Sequence, residues 1–215
     1  MTIPDLHRLR QCRPVSPHRL PSLARPLHCH PAAPCARPLQ VQVSLAVAGS
    51  ETGPGLLLHY TLGGDLSGLR LPPPAEPGPA DSLWRHTCFE AFVGLAGEPA
   101  YHEFNFSPSG QWAAYRFMAQ RQRSPEADIP VRPEIDLDVS DSDLSMQVWL
   151  PRSALPEAHA GKTWEIGLSA VIETTDGQLA YWALRHPAAQ PDFHHRGGWQ
   201  PLPELQTLLP PPRPA

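Results

Sequence analysis

Apolar residues occupy every second position in most segments that follow residue 40. Val41, Val43 and Leu45, for example, alternate with polar residues, which is the period of a strand with one buried face. Turn-forming residues such as Asp176-Gly177 separate these segments, and no segment shows a convincing helical period. The pattern predicts about nine or ten short strands and an all-β fold, an antiparallel β-sandwich. The predicted strands are 41–47, 56–62, 66–71, 87–93, 101–106, 112–118, 135–139, 144–150, 164–172 and 178–184.

Three consecutive predicted strands between Leu83 and Met118 carry charged and amide side chains between their apolar residues. In one strand register these side chains share a single face with a tryptophan. Such a face is too polar for a core and too aromatic for ordinary surface, so we interpret it as the lining of a ligand site. The residues assigned to this face are Glu90, Glu103, Asn105, Trp112 and Arg116.

The polar face permits three chemical interpretations. Glu90 and Glu103 resemble the paired carboxyl groups of a glycosidase, which flank the scissile bond. Arg116 on the same face would keep both groups ionised and remove the raised pKa that a general acid needs. Carboxylate, amide and guanidinium groups beside indole rings suit sugar binding better, because sugars offer vicinal hydroxyls and C–H faces. A purely structural polar network is the third interpretation.

Three segments of the chain resemble a known family: LWRHTCFEAFV, YHEFNFSPSGQWAAYRF and YWALRHPAAQPDFHHRGGW. They are similar to bacterial DOMON-like proteins related to the family 9 carbohydrate-binding modules, over roughly Leu27 to Leu205. The resemblance implies an antiparallel β-sandwich. In the sugar-binding members, two tryptophans clamp a terminal sugar, while acid, amide and basic side chains bind its hydroxyls.

The resemblance also implies roles for individual residues. Trp84 and Glu90 match the W-x5-E pattern of the sugar modules, and Glu103 with Asn105 matches the strand that follows. Trp112 and Trp182 compete for the position of the second clamp tryptophan. The segment WRHTCFE lacks the acids that the sugar modules carry between Trp and Glu, and calcium is left open as a cofactor.

A histidine pair near the end of the chain is a further candidate. In the segment Asp192-Phe193-His194-His195-Arg196, adjacent histidines on a strand would point to opposite faces, so they would not both ligate one metal. In the structural interpretation, this segment is a loop that packs on the sheet. The functional one places His194 or His195 at the border of the ligand site, beside Arg185 or Arg196.

The favoured function is therefore a non-catalytic binding module for a small polar ligand, with a carbohydrate or a sugar-containing metabolite as the ligand class. The alternatives are a glycosidase-like hydrolase that uses Glu90 and Glu103, a haem or redox domain, and an interaction scaffold. Haem is disfavoured because Met146 alternates with apolar residues like a core side chain and no c-type attachment motif exists.

Composition sets the remaining limits. With 41% hydrophobic residues and a net charge of −4, the 215-residue chain shows no nucleic-acid footprint and no membrane-spanning stretch. Four cysteines in no regular framework indicate a reducing compartment, and we expect a cytoplasmic protein. The expected organisation is a Pro/Arg-rich disordered leader (1–37), the β-sandwich (38–206) and a Pro-rich tail (207–215). The oligomeric state stays open.

Overall fold

The chain forms an antiparallel β-sandwich, which confirms the predicted fold class. The structure is a computed structural model that describes residues 23–50, 53–158, 162–203 and 208–209. Three short 3₁₀ turns, Leu83–Arg85, Arg152–Ala154 and Arg196–Gly198, lie between strands. The strands are β1 (Leu23–Cys29), β2 (Leu39–Ser50), β3 (Gly53–Gly64), β4 (Cys88–Leu95), β5 (Tyr101–Phe106), β6 (Trp112–Ala119), β7 (Gln122–Arg123), β8 (Glu134–Val139), β9 (Asp143–Pro151), β10 (Trp164–Glu173), β11 (Leu179–Ala183) and β12 (Gln200–Pro201).

The strands pair into two layers that share one strand. Sheet A has the order β8-β9-β3-β2-β1, and sheet B has the order β7-β6-β5-β4-β10-β11-β1 with β12 beside β10. The first part of β1, Leu23–Leu27, pairs with β2, whereas His28 and Cys29 pair with β11. β1 therefore crosses from one layer to the other.

This crossing strand corrects the predicted leader. The segment 23–37 belongs to the folded domain, because β1 hydrogen-bonds to both sheets. Pro26 is compatible with this strand since Leu23–Leu27 forms the edge of sheet A, where a missing N–H costs little. Residues 1–22 of the predicted leader, and 207 and 210–215 of the predicted tail, lie outside the described residues.

The core lies between the inner faces of the two sheets. The alternating positions of β2 are buried as predicted, and Val43 and Leu45 keep at most 2% of their surface exposed. Across the layers, the Tyr60 hydroxyl donates to the carbonyl of Glu90 at 2.8 Å. Met146 is fully buried in the same core, as its alternation predicted. Each such large apolar side chain contributes about 1.5–3 kcal/mol to folding.

Part of the outer face of sheet B is covered by the segment 192–199. Trp199 lies on Gly167, where an added Cβ would come within 2.6 Å of the indole ring. Arg196 lies on Gly94 in the same way, and its guanidinium donates to the carbonyls of Leu95 and Ala100. Two glycines thus allow a loop to rest directly on the sheet. The rest of this face is open.

Candidate ligand-binding cleft

A cleft of ≈ 860 Å³ occupies the open part of the outer face of sheet B. Its floor is formed by outward-facing residues of β4, β5, β6, β10 and β11. Residues 32–33, 81–82, 84, 190–191 and 193–194 form its rim. A volume of this size suits a small-molecule ligand. The segments that the sequence assigned to a ligand site, Leu83 to Met118 and Asp192 to Arg196, supply much of the lining and both glutamates of the floor.

Polar side chains on three neighbouring strands form the middle of the floor. Antiparallel pairing sets Ser169 beside Glu90, and Glu90 beside Asn105. The Ser169 hydroxyl donates to Glu90 Oε2 at 3.3 Å. Asn105 Nδ2 donates to Glu103 Oε1 at 2.7 Å. Glu90 and Glu103 line the cleft with only 3% and 5% of their surface exposed, while Asn105 is fully buried beside them. The predicted strand parity of these three residues is correct.

Both carboxyl groups bind protons more tightly than ordinary glutamates do. Burial raises the pKa of Glu90 well above 4.5, and repulsion by the Glu103 charge raises it further. Burial also raises the pKa of Glu103 to about 7, although the hydrogen bond from Asn105 and two nearby arginines oppose this rise. Because two close carboxylates disfavour double ionisation, the pair carries fewer than two charges near neutral pH.

The predicted position of Arg116 beside the two acids is wrong. Arg116 lies on the opposite face of β6, and its Nη1 donates to a main-chain carbonyl at 2.8 Å. The guanidinium that was expected to keep both acids ionised is therefore absent from the cleft. Arg121 and Arg123 reach the rim instead. Each has its own acidic partner, Asp192 at 2.9 Å and Asp128 at 2.7 Å.

Trp112 is also on the wrong face for the predicted site. The β5–β6 hairpin pairs Phe106 with Trp112 and Glu103 with Tyr115, so Trp112 faces the core. Its indole N–H donates to the carbonyl of Val131 at 3.0 Å. Tyr115 and its neighbour on the same face, Phe117, line the cleft in its place. Directly paired residues share a face, and this pairing decides which aromatic side chains reach the ligand space.

Trp182 does not serve as a clamp residue either. It belongs to the buried core with 7% of its surface exposed, and its indole nitrogen has no hydrogen-bond partner in the described part of the chain. Trp84 is the tryptophan that lines the cleft, with 46% of its surface exposed at the rim. Tyr181 and Phe193 line the β11 side, with ring centroids 6.0 Å apart. The aromatic lining is therefore one tryptophan with tyrosine and phenylalanine rings.

His194 lines the cleft and His195 does not. The Tyr101 hydroxyl oxygen lies 2.7 Å from His194 Nδ1. The same oxygen accepts a hydrogen bond from the main-chain N–H of Arg121 at 3.2 Å. Burial raises the pKa of Tyr101 to about 12, so its hydroxyl stays protonated, and it donates to Nδ1 when His194 is in the Nε2–H tautomer. His194 Nε2 then carries the hydrogen, 3.8 Å from Glu103 Oε2.

The environment of His194 keeps its ring neutral. Burial is the largest cause that lowers its pKa to about 4, and the charge of Arg121 lowers it further. The neighbouring His195 accepts the N–H of Gly197 through Nδ1 at 3.1 Å and caps the turn Arg196–Gly198. Arg196 is directed away from the cleft, onto Gly94. Of the candidates in this segment, His194 borders the site.

Several residues of the site were not assigned from the sequence, among them aromatic lining residues and Ser169, which donates to Glu90. Tyr115 and Phe117 follow from the hairpin pairing, and Ser169 could have been noticed as a hydroxyl inside the apolar run of β10. Tyr181 and Phe193 reach the cleft through the pairing of β10 with β11 and through the long loop, for which the local pattern carries no signal.

Two further findings on the described residues concern metal ions and membranes. These residues contain no group of three or more His, Cys, Asp or Glu residues arranged to hold a metal ion. In the same part of the chain, no helix is long and apolar enough to cross a membrane. Cys29, Cys35 and Cys88 have free thiols.

The fold has a counterpart among solved structures. A search of protein families and a search of curated proteins each find no match. The chain is similar to a crystal structure from Bacteroides uniformis ATCC 8492 that is described as a putative carbohydrate-binding protein. The TM-score is 0.59 at 16% identity, over 82% of this chain and 83% of that chain. At this identity the likeness shows a shared fold.

Proposed function

We propose that the protein is a non-catalytic binding module for a small polar ligand, with a carbohydrate or a sugar-containing metabolite as the ligand class. The observation that carries the proposal is the floor of the cleft, where buried acid and hydroxyl groups lie between aromatic rings. Sugars match such a surface, because they combine hydroxyl groups with apolar C–H faces.

Each lining group has a distinct role in this proposal. Trp84 stacks on a sugar ring from the rim, and Tyr181 with Phe193 supplies the apolar surface along β11. Glu90 and Glu103 accept hydrogen bonds from hydroxyl groups, and Asn105 orients Glu103. His194 offers its Nε2–H to the ligand. Ionised acceptors form hydrogen bonds about twice as strong as neutral ones.

The likeness to the Bacteroides uniformis protein supports this ligand class through its description alone. We also propose that the chain is related to the DOMON-like proteins and family 9 carbohydrate-binding modules that three of its segments resemble. Free thiols at Cys29, Cys35 and Cys88 agree with the cytoplasmic location that we propose.

The proposal is tested by screening the full-length protein on a sugar array and titrating the bound sugars by calorimetry. Glu90→Gln removes the charge and keeps the volume, and we expect it to weaken binding at least about tenfold. Glu126→Gln is the matched control, because Glu126 is exposed and outside the cleft. Equal affinities for wild type and Glu90→Gln, at unchanged Tm, would contradict the proposal.

A hydrolase is the second candidate, and one observation favours it. Glu90 and Glu103 both have raised pKa values, and a general acid needs a pKa near the working pH. An assay with a panel of chromogenic glycosides near pH 6 distinguishes the hydrolase from the binding module. Turnover that falls by about 100-fold in Glu103→Gln would establish the hydrolase. Binding of the same glycosides without turnover would support the binding module.

A further inference from the structure

The cleft contains more negative charge than its own bases balance. Asp81, Glu90 and Glu103 line it, and His194 is neutral near pH 7. The two lining arginines, Arg121 and Arg123, already pair with Asp192 and Asp128. The carboxyl groups on the floor therefore lack a cation of their own within the described residues, although buried carboxylates are normally paired.

With its carboxyl groups ionised, the floor also contains more hydrogen-bond acceptors than donors. Glu90 is 3% exposed and receives one hydrogen bond, from Ser169, while Glu103 Oε2 is 3.8 Å from the nearest histidine nitrogen. Asn105 Oδ1 is buried and receives no hydrogen bond from the residues that the structure describes. Buried acceptors without donors cost free energy unless a ligand supplies them. An ammonium group supplies three donors and no acceptor.

The aromatic lining adds a second feature that attracts a cation. Ring faces carry partial negative charge and stabilise ammonium and guanidinium groups within about 6 Å. Two lining rings already do so, since Arg85 lies 5.3 Å from the Trp84 centroid and Arg123 lies 4.1 Å from the Tyr115 centroid. Phe92, Tyr181 and Phe193 offer further rings around the acids. Acids and rings together favour positive charge in this space.

We infer that the ligand of the cleft carries a protonated amine, as an amino sugar does, and that the ammonium group binds beside Glu90 and Glu103. This inference rests on the proposed carbohydrate function and specifies its ligand class. The sugar hydroxyls and ring face use the remaining lining, while the ammonium donates hydrogen bonds to the carboxyl pair. Acetylating the amine removes both its charge and two of its donors.

Binding of a cation to this pair has a second consequence. A positive charge favours the ionised form of nearby carboxyl groups, so it lowers the pKa values that burial raises. Because Glu103 titrates at about 7 and Glu90 is raised well above 4.5, the free cleft holds protons near neutral pH. An amine that binds there expels them, on the order of one proton per ligand. A neutral sugar leaves them in place.

The test compares matched sugars on the full-length protein. Glucosamine, galactosamine and mannosamine are titrated near pH 7 beside their parent hexoses and their N-acetyl derivatives. We expect one amino sugar to bind at least about tenfold more tightly than both neutral counterparts. Calorimetry in two buffers with different ionisation enthalpies measures the protons released. Tetramethylammonium serves as a cation without a sugar.

The outcomes distinguish a failure of the amine inference from a failure of the carbohydrate function. Preference for an amino sugar with proton release supports both of them. Equal or tighter binding of the neutral hexose overturns the amine inference and leaves the carbohydrate function standing. Binding of tetramethylammonium alone supports a cation site and contradicts the carbohydrate function. Binding of no probe overturns both.

Variants of the two glutamates test whether the preference for an amino sugar arises at Glu90 and Glu103. Glu90→Gln and Glu103→Gln should each reduce the preference for the amino sugar over its parent hexose by about tenfold, and Glu126→Gln should leave the preference unchanged. Should a glutamine variant fail to fold, proton release by the wild-type protein still decides the inference. A preference that survives in both folded variants would overturn it.

Discussion

The outer face of sheet B has a covered part and an open part, and the same kinds of side chain behave differently in each. In the covered part, Arg196 lies on Gly94, donates to main-chain carbonyls and pairs with Glu165 at 3.0 Å. In the open part, Glu90 and Glu103 have no basic partner in the described chain comparable with this arginine. The covered part satisfies its charges internally, whereas the open part leaves charge and acceptors for a ligand.

The comparison shows how a sandwich can dedicate part of one surface to binding. Aromatic rings occur in both parts, but Trp199 is 6% exposed and packed against Phe92 and Tyr101, while Trp84 is 46% exposed. Burial turns the first indole into a structural residue, and exposure leaves the second available for stacking. The two tryptophans are therefore the natural pair of sites at which to test the comparison.

The largest expected effect is that of Trp199→Ala. Removing a buried indole deletes its packing and leaves a cavity, which costs about 3–5 kcal/mol and lowers Tm by roughly 10 °C. Thermal unfolding measures the effect, with Trp84→Ala as the exposed control. Equal losses of Tm in the two variants would show that the covered part is no more structural than the open part.

Glu103→Gln tests whether the buried Glu103 of the open part makes the free energy of unfolding depend on pH. The folded pKa of about 7 lies above the ordinary 4.5, so its contribution to stability is complete below pH 4.5 and is lost as pH rises through 7. The loss is on the order of 3 kcal/mol. Urea unfolding at pH 5 and pH 8 should show a smaller loss in Glu103→Gln than in the wild type, because the variant retains only the raised pKa of Glu90.

His194 changes stability in the opposite direction and does not obscure this comparison. Its folded pKa of about 4 lies below the ordinary 6.5, so its contribution is complete above pH 6.5 and is lost as pH falls through 4. His194 is present in both proteins, so the difference between wild type and Glu103→Gln reports the Glu103 carboxyl group together with its effect on the pKa of Glu90. Parallel pH profiles of the two proteins would contradict the raised pKa of Glu103.

Gly167→Ala tests whether the segment 192–199 needs a residue without a side chain beneath Trp199 on sheet B. The new Cβ would lie 2.6 Å from two atoms of the Trp199 ring, and a shifted indole would weaken its hydrogen bond to the Phe193 carbonyl. We expect a loss of about 1–3 kcal/mol in the free energy of unfolding. Gly78→Ala, whose nearest neighbour lies 4.0 Å away, is the control. Equal stability of both variants would argue against close packing here.

The smallest expected effect on folding is that of Trp84→Ala. Its exposed indole contributes little to folding, so the free energy of unfolding should change by less than about 0.5 kcal/mol. Affinity for the ligand found by array should fall about tenfold, because a stacking surface is lost. Calorimetry measures the affinity. Wild-type affinity in this variant would remove Trp84 from the site.

Much of the fold could be predicted from the sequence because strand periodicity is local. The alternating runs located the core strands, and the parity within β4 and β5 set Glu90, Glu103 and Asn105 opposite the core-facing phenylalanines. Residues 23–29 were missed because Arg25 and Pro26 continue the Pro/Arg-rich composition of the residues before them, while the pairing of this segment with β2 and β11 is long-range.

The sequence did not determine which β6 residues line the cleft. Alternation shows which β6 residues share a face, but it does not show which of the two faces meets Glu103. The answer depends on the hairpin loop, whose five residues Ser107–Gln111 pair Phe106 with Trp112. A register shift by one residue would exchange the faces, so Trp112 and Arg116 were assigned to the wrong one.

The sequence by itself determined the strand pattern, the fold class and the acids that interrupt the outer face. Only the tertiary structure decided which aromatic rings surround those acids, that Arg116 is absent, and that Arg196 and Trp199 cover the neighbouring surface. The physical reason is the range of the interactions. Side-chain alternation follows from the backbone of one strand. Register and loop docking depend on partners that can lie more than a hundred residues away, as Arg196 does from Gly94 and β1 does from β11.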